Sequence, residues 1–340
     1  MPGEAQGPSG ESGLAAPPEK LSAFLARVLD QLSLSAWLPA AFLTASLAVM
    51  YRLAQQGNLD VAKAVTDLTS DPVAFLIVTV PIVILATLVT QSFSFEAIRA
   101  LEGYWERRWL LGWLHHGLVR LRMKHKASVR ARLPGVRDRA FGSARSPMQL
   151  DGRPREVVDA IEADLLGLDR DDLEGQPERL RANTAWRDYG DPILIAKYDR
   201  LRGVLKEYPE DGLIMPTKLG NVLRATEAKL QNAGGDVGTF ALRRRRLVDA
   251  RIQVQHDQFR TRLDMYCILV FVSVLLAALW PVLLKDVPHP WASEFMVWLI
   301  PPVSYSLLTV AAYKAAVASA RGYCTILRFM DQASGDGLVS

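Results

Sequence analysis

Four runs of the sequence hold no charged residue over about the 20 positions that an α-helix needs to cross roughly 30 Å of hydrocarbon. They are Leu32 to Tyr51, Pro72 to Phe95, Met265 to Leu284 and Phe295 to Tyr313. The second and third are dense in Val, Ile and Leu; the first is interrupted by Ser33, Ser35 and Pro39. The alternative for each run is a helix buried in a protein core. The runs predict an all-α integral membrane protein with four transmembrane helices, at 32–54, 72–95, 264–285 and 295–318. About thirty residues precede the first run, with Glu4, Glu11 and Glu19 and no basic start, so it is expected to be a retained crossing rather than a cleaved signal.

Charge orients the chain. The stretch from Ala97 to Arg262 holds 32 of the 40 Lys and Arg but 23 of the 36 Asp and Glu. The two short links, Arg52 to Asp71 and Lys285 to Glu294, hold only Arg52, Lys63 and Lys285 as basic residues. Arg99, Arg107, Arg108, Arg260 and Arg262 lie near the ends of the second and third runs, so the positive-inside rule puts the middle of the chain in the cytoplasm. Both termini follow it there. Cys267 and Cys324 are too few for a disulfide framework and read as apolar packing residues near the reducing side.

Outside the crossings, residues 1–18 are rich in Pro, Gly and Ser and are expected to be disordered. From Lys20, the residues Leu21, Phe24, Leu25, Val28, Leu29 and Leu32 recur at helical spacing, and 19–31 reads as an amphipathic helix on the membrane or on the cytoplasmic domain. That domain spans 96–263 and is expected to be helical, with two stalks. No proline occurs from Ile82 to Arg132, so the second crossing is free to continue through Ile98, Leu101, Trp105, Trp109 and Trp113; these tryptophans suit either a membrane interface or a buried seam. Val248, Ile252, Phe259, Leu263 and Tyr266 form a stripe leading into the third crossing, and the two stalks are expected to pack together. "SARSPMQLDGRPRE" and "GLDRDDLEGQPERLRAN" carry turn residues, and Asp191 before Pro192 predicts a helix start with Leu194, Tyr198, Leu201, Leu205 and Tyr208 on its buried face. Residues 319–340 read as a cytoplasmic tail.

The stretch "IMPTKLGNVLRATE", Ile214 to Glu227, predicts an amphipathic helix capped by Thr217 and running to about Gln231. Leu219, Val222, Leu223 and Leu230 share one side with Thr226, whose hydroxyl is expected to return to a carbonyl one turn back. Thr217, Gly220, Asn221 and Arg224 fall opposite. Glycine in a first turn costs up to about 1 kcal/mol relative to alanine, so something is expected to approach the backbone there. Two uses of Thr217, Lys218, Gly220, Asn221 and Arg224 stay open: a docking face against a stalk, or an anion site for a phosphate or lipid headgroup.

"PTKLGNVLRATE", with "LKEYP" before it and "RTRLDMYCILVFVSVLL" after it, resembles a family of uncharacterised bacterial multi-pass membrane proteins. That family pairs a Pro-Thr-x-Leu-Gly-Asn-x-Leu-Arg motif with an Arg-Leu-Asp start to its third membrane helix. The matching positions are Pro216, Thr217, Leu219, Gly220, Asn221, Leu223 and Arg224, then Arg262, Leu263 and Asp264. The sequence departs after Glu227, where "AKLQNAGGDVGTF" replaces the family's aromatic-rich continuation. The resemblance implies an architecture and no activity.

The motif search returns no G-x-S-x-G, Walker A loop or G-x-G-x-x-G. "DRDDLEG" lacks the ligand spacing of a calcium loop, and His115, His116 and His256 assemble no metal set. No catalytic, cofactor or metal residue is assigned. Arg243 to Arg246 lie about 27 Å along a helix from the third crossing, so they are expected to face an acidic protein surface, the chain's own carboxylates or a soluble anion; nucleic acid is not expected as a partner. The expected partners are membrane lipid, a protein or a second copy of the chain. The sequence reads as a non-enzymatic membrane scaffold or signal-coupling protein, with a channel or transporter as the alternative, since Pro81, Pro301, Pro302, Ser304, Tyr305, Ser306 and Thr309 offer breaks and hydroxyls along the crossings.

Overall fold

The computed structural model describes residues 34–105, 109–166, 185–230, 248–287 and 292–336. Among these the chain forms ten α-helices, two single-turn 3-10 helices (Trp186–Asp188 and Asp211–Leu213) and no strand. The helices are α1 (Leu34–Gln56), α2 (Val61–Thr69), α3 (Pro72–Ser92), α4 (Ser94–Glu102), α5 (Trp109–Leu150), α6 (Arg155–Leu166), α7 (Pro192–Lys206), α8 (Lys218–Glu227), α9 (Ala250–Leu283) and α10 (Ala292–Asp336). The expected tail 1–18, the amphipathic helix 19–31, the acidic "DRDDLEG" and the Arg243 to Arg246 run lie outside the described residues.

The described residues form two compact units, one of those up to Ser94 together with those of Ile268–Val310, the other of those of Phe95–Cys267 and those from Ala311 onward. In the first, α1, α2 and α3 pack together. Gly57, at φ 64, ends α1, and the Asp60 carboxylate caps α2 by accepting from the Lys63 N–H at 2.9 Å. Met50, Leu53 and Ala64 fill the core with Ile268, Val272, Leu276 and Trp280 of α9. The outer surface of α3 is the opposite of what water permits. Val73, Ile77, Val78 and Leu85 are each at least 60 % exposed, with no charged residue anywhere in α3. Such a surface is stable only against another apolar medium.

Three segments are long and apolar enough to cross a membrane: Trp37–Gln56, Phe75–Ser92 and the helix Ala250–Leu283. These match the first three expected crossings, and the molecule is a candidate membrane protein on that ground. The expected fourth crossing falls inside α10. Pro39, Pro81, Pro281, Pro301 and Pro302 all sit within continuous helices, so the breaks at Pro81, Pro301 and Pro302 that would favour the channel alternative do not occur.

The second unit has two cores. In one, Val136, Ala140, Phe141, Ala144 and Met148 of α5 pack on Val158 and Ile161 of α6, Trp186, and Tyr198 of α7. The Asp191 cap forms as expected, accepting from the Ile193 N–H at 2.8 Å, with Pro192 in the first turn. The other core gathers Ile98 of α4, Leu219, Val222 and Leu223 of α8, Val248 just ahead of α9, Leu263 and Cys267 of α9, and Ala316, Ala320, Tyr323, Leu327 and Met330 of α10. Ile252, Phe259 and Tyr266 pack against it, which completes the expected stripe on α9.

Four expectations are corrected here. The second crossing does not continue unbroken: α3 ends at Ser92, and α4 ends at Glu102, where Gly103 adopts φ 104. Freedom from proline permits a helix but does not enforce one. The segment "SARSPM" is helical, since α5 runs through Pro147 to Leu150. Pro147 is exposed while its neighbours Ala144 and Met148 are buried, and that burial outweighs the lost N–H. α8 stops at Glu227 rather than about Gln231. Residues 319–336 are no tail: they continue α10 and put Ala320, Tyr323, Cys324, Leu327 and Met330 in the core.

Candidate functional site

α8 is a ten-residue helix, shorter than water alone would sustain, and its setting explains why it forms. Leu219, Gly220, Asn221, Val222, Leu223, Ala225 and Thr226 are all buried, so both the leucine side and the glycine side are covered. The Thr226 hydroxyl donates back to the Val222 carbonyl at 3.2 Å, as its position on the apolar side requires, and receives the Arg328 guanidinium at 3.2 Å.

The entrance to α8 is tied through the N–H groups of Lys218 to Asn221. The Thr217 hydroxyl accepts from the Gly220 N–H at 3.0 Å and donates to the Glu102 carbonyl at 2.9 Å. The Lys218 and Leu219 N–H groups both donate to the Tyr313 hydroxyl, at 3.1 and 3.4 Å, and the Asn221 N–H donates to the Thr217 carbonyl at 3.3 Å. Three of the donors that a helix start normally offers to an anion, the Lys218, Leu219 and Gly220 N–H groups, therefore already have acceptors within the protein, and the Asn221 N–H makes the first ordinary helix bond. The buried Asn221 amide does the rest. Its Oδ1 accepts from the Met215 N–H at 2.9 Å, and its Nδ2 donates to the Met215 and Thr217 carbonyls at 2.8 and 2.6 Å. One side chain thus fixes the whole Met215–Thr217 turn.

Gly220 and Gly103 both bring backbone against backbone or ring at this junction. A Cβ on Gly220 would fall inside contact distance of the Glu102 carbonyl oxygen and 2.9 Å from the Met215 Cβ. A Cβ on Gly103 would overlap the Pro216 ring, and its φ of 104 is open to glycine at little cost. The C-terminus of α4 closes in the same place, with the Tyr104 N–H returning to the Arg99 carbonyl at 3.1 Å. Two glycines and one threonine therefore fasten the end of α4 to the start of α8.

Charges ring this junction. Arg224 pairs with Glu227 at 3.1 Å and lies over the Tyr104 ring at 5.7 Å; Arg99 lies over the same ring at 5.3 Å. Burial pushes the Glu102 carboxyl up to about 7; Glu227 pushes the same way, and Arg260, Arg224 and Arg99 pull it back. Tyr104 is raised above its ordinary value, first by burial. Lys218 reaches Glu207 at 3.6 Å, and Glu207 also takes Arg321 of α10 at 2.7 Å. The cleft lined by Glu102, Tyr104, Met215, Gly220, Leu223, Arg224 and Glu227 has no room even for a water molecule. Among the described residues no three His, Cys, Asp or Glu side chains come together as a metal site.

All five candidate residues of the sequence thus share one junction. Thr217, Gly220 and Asn221 are held by backbone and side-chain contacts within the unit, while Lys218 and Arg224 are in ion pairs at its rim. Sequence reasoning missed Glu102, Gly103, Glu207 and Tyr313. A glycine following a nine-residue helix was the available signal for Gly103; Tyr313 offered none. His256 stacks on Tyr323 with ring centroids 5.0 Å apart, and its Nδ1 meets Asp257 at 3.1 Å. The chain matches no family model, no curated protein and no solved structure.

Proposed function

We propose that the chain is a non-enzymatic scaffold or signal-coupling protein of the bacterial inner membrane, with four crossings, including 295–318, and with both termini and the central helical domain in the cytoplasm. The observation that carries this reading is the convergence on α8. α4 follows the second crossing in sequence, α9 contains the third, and α10 continues from the fourth; all three contribute to the core around Leu219, Val222 and Leu223. A displacement at the end of one crossing is therefore felt by the same short helix as a displacement at another. The basic excess between Ala97 and Arg262 supports the inward orientation. The resemblance to the bacterial family with the Pro-Thr-x-Leu-Gly-Asn-x-Leu-Arg motif agrees with it. In this reading the face of Thr217, Lys218, Gly220, Asn221 and Arg224 is a docking face, because the Lys218, Leu219 and Gly220 N–H groups already have acceptors and Lys218 and Arg224 already have carboxylates. The channel alternative loses support from α10, where the Ser306 and Thr309 hydroxyls return to the Pro302 and Tyr305 carbonyls of their own helix instead of lining a path.

Two measurements test the reading. Fusion at Leu150 of a reporter active only outside the cytoplasm should give no signal; an active fusion refutes the orientation. For coupling, Gly220→Leu should raise hydrogen exchange together at Glu102–Tyr104 and at Tyr313–Ala316. A rise confined to α8 would leave a scaffold without a relay.

A further inference from the structure

We propose that the exposed face of α5 between Trp113 and Lys124 docks on the anionic headgroups of the bilayer that anchors the chain; this rests on the membrane reading above. α5 carries nine Lys and Arg and a single acid, Asp138, which comes after seven of the nine. At 3.6 residues per turn, Trp113, Arg120 and Lys124 lie within about 20° of one line, directly away from the face that holds Val129, Val136 and Ala140, with Leu121 and Met123 about 80° to either side. Trp113 is 74 % exposed, Leu121 60 % and Met123 43 %. Arg120 and Lys124 are exposed and have no ion pair among the described residues. A large aromatic ring, two aliphatic side chains and two unpaired cations on one outer face match the chemistry of a headgroup layer, in which rings and stems sit at the acyl boundary and cations meet phosphates. A soluble acidic protein would also suit the cations and the indole; the bilayer is favoured because the chain's own apolar spans anchor it there.

Contacts from the opposite side of the same stretch tie it, within the unit, to the loop that meets the end of the proposed fourth crossing. The Arg122 guanidinium donates to the Pro216 carbonyl at 3.4 Å, and two residues later the Lys218 N–H donates to the Tyr313 hydroxyl. His125 and Lys126 hold the same loop through the Tyr208 hydroxyl at 2.9 Å and the Pro209 carbonyl at 2.7 Å. The proposed crossing reaches its headgroup boundary around Tyr313. The stretch from Trp113 to Lys124, about 16 Å of helix, is therefore one loop away from that boundary.

The test uses the full chain in nanodiscs, of phosphatidylcholine alone or mixed with phosphatidylglycerol. Nitroxide labels are attached at Gly117→Cys, Leu85→Cys and Gly142→Cys, so that Trp113 itself is kept; Gly117 is exposed on the same face, about 40° from Trp113, with open space where a Cβ would stand, and both native cysteines are buried. Depth is read from relaxation by oxygen and by a water-soluble nickel complex. The expected result is hydrocarbon depth at 85, headgroup depth at 117 and water at 142, with 117 moving toward water when the anionic lipid is omitted. Arg120→Gln with Lys124→Gln should lower the docked-to-free ratio at 117 by about fivefold per charge. A label at 117 that reads water in anionic discs, while 85 reads hydrocarbon, overturns the docking and leaves the membrane reading intact. Water at 85 as well overturns the membrane reading itself. Shielding of 117 from both relaxants means that protein covers the face, which also overturns the proposal.

Discussion

Gly220→Ala separates a packed junction from a solvated one with a single methyl group. In a free helix the change is favourable by about 1 kcal/mol. Here the new Cβ meets the Glu102 carbonyl oxygen, a backbone atom at the end of α4, together with the Met215 Cβ at 2.9 Å. No rotamer change relieves that clash. Either α4 retreats or α8 does, and overpacking of this kind costs about 1 to 3 kcal/mol. Retreat also stretches the 2.9 Å bond from Thr217 to the same carbonyl, worth about 1 kcal/mol. The net effect is a loss of about 1 to 3 kcal/mol despite the better helix propensity. With roughly 2 to 4 °C per kcal/mol for a domain of this size, thermal unfolding of the purified protein should shift down by about 4 to 8 °C for a loss near 2 kcal/mol. Lys218→Ala is the control. Its ion pair to Glu207 spans 3.6 Å at a half-exposed lysine, so the change should stay within about 1 kcal/mol. A Gly220→Ala protein as stable as the wild type, or more so, would refute the close approach.

Asn221→Leu removes three hydrogen bonds and strands the Met215 N–H and carbonyl, so it should cost about 3 kcal/mol in chemical denaturation; a neutral result would mean that the turn is held otherwise. Tyr313→Phe deletes the acceptor shared by the first two N–H groups of α8 and should cost about 1 to 3 kcal/mol, with hydrogen exchange rising first at Lys218 and Leu219. Arg224→Gln leaves Glu227 without its cation and should destabilise by about 1 to 2 kcal/mol, a third of the arginine being solvated; a fully stable variant that loses a co-purifying anionic lipid would favour the anion site instead. The folded-state pKa of Glu102, about 7, lies above its ordinary 4.5. The folded protein therefore keeps a proton that the unfolded chain releases, and this contribution to stability is full below about 4.5, falls as pH rises and is gone above about 7. Glu102→Gln should flatten that part of the profile of thermal midpoint against pH, and an unchanged slope would assign it to another group.

What could be read from the sequence was local. Thr217 and Asp191 cap helices through bonds that span three and two residues, so the residue types and their spacing were enough. The apolar stripe on α9 and the three spans follow from periodicity and from the absence of charge. The partners of the Thr217 face were not legible for the same reason in reverse. Tyr313 lies 95 residues from Lys218, and Glu102 lies 115 from Thr217, and nothing in either neighbourhood encodes the pairing. Proline misled in both directions. Its absence after Ile82 suggested a helix that Gly103 ends, and its presence at Pro147 suggested a turn where Ala144 and Met148 hold α5 together by burial. Helix α10 past residue 318 looked like a tail because its apolar residues, Ala320, Tyr323, Cys324 and Leu327, are spread among Arg321, Gly322, Thr325 and Arg328. Only the surrounding core turns that pattern into a packed face.

The shortness of α8 bears on how the unit works. Ten residues cannot form a stable helix in water on their own, since the cost of nucleation is recovered only over longer segments. α8 exists because Glu102 and Tyr313 complete its first turn and because Ile98, Leu263, Cys267 and Cys324 cover its sides. Its stability is thus conditional on three other helices being in register at once. Removing any one exposes buried backbone at the Thr217 turn, where Asn221 leaves no slack, so α8 has no half-docked state of low energy. A longer helix would keep its own hydrogen bonds and tolerate the loss of one neighbour. A short one reports the loss, which is the property that the proposed coupling role requires.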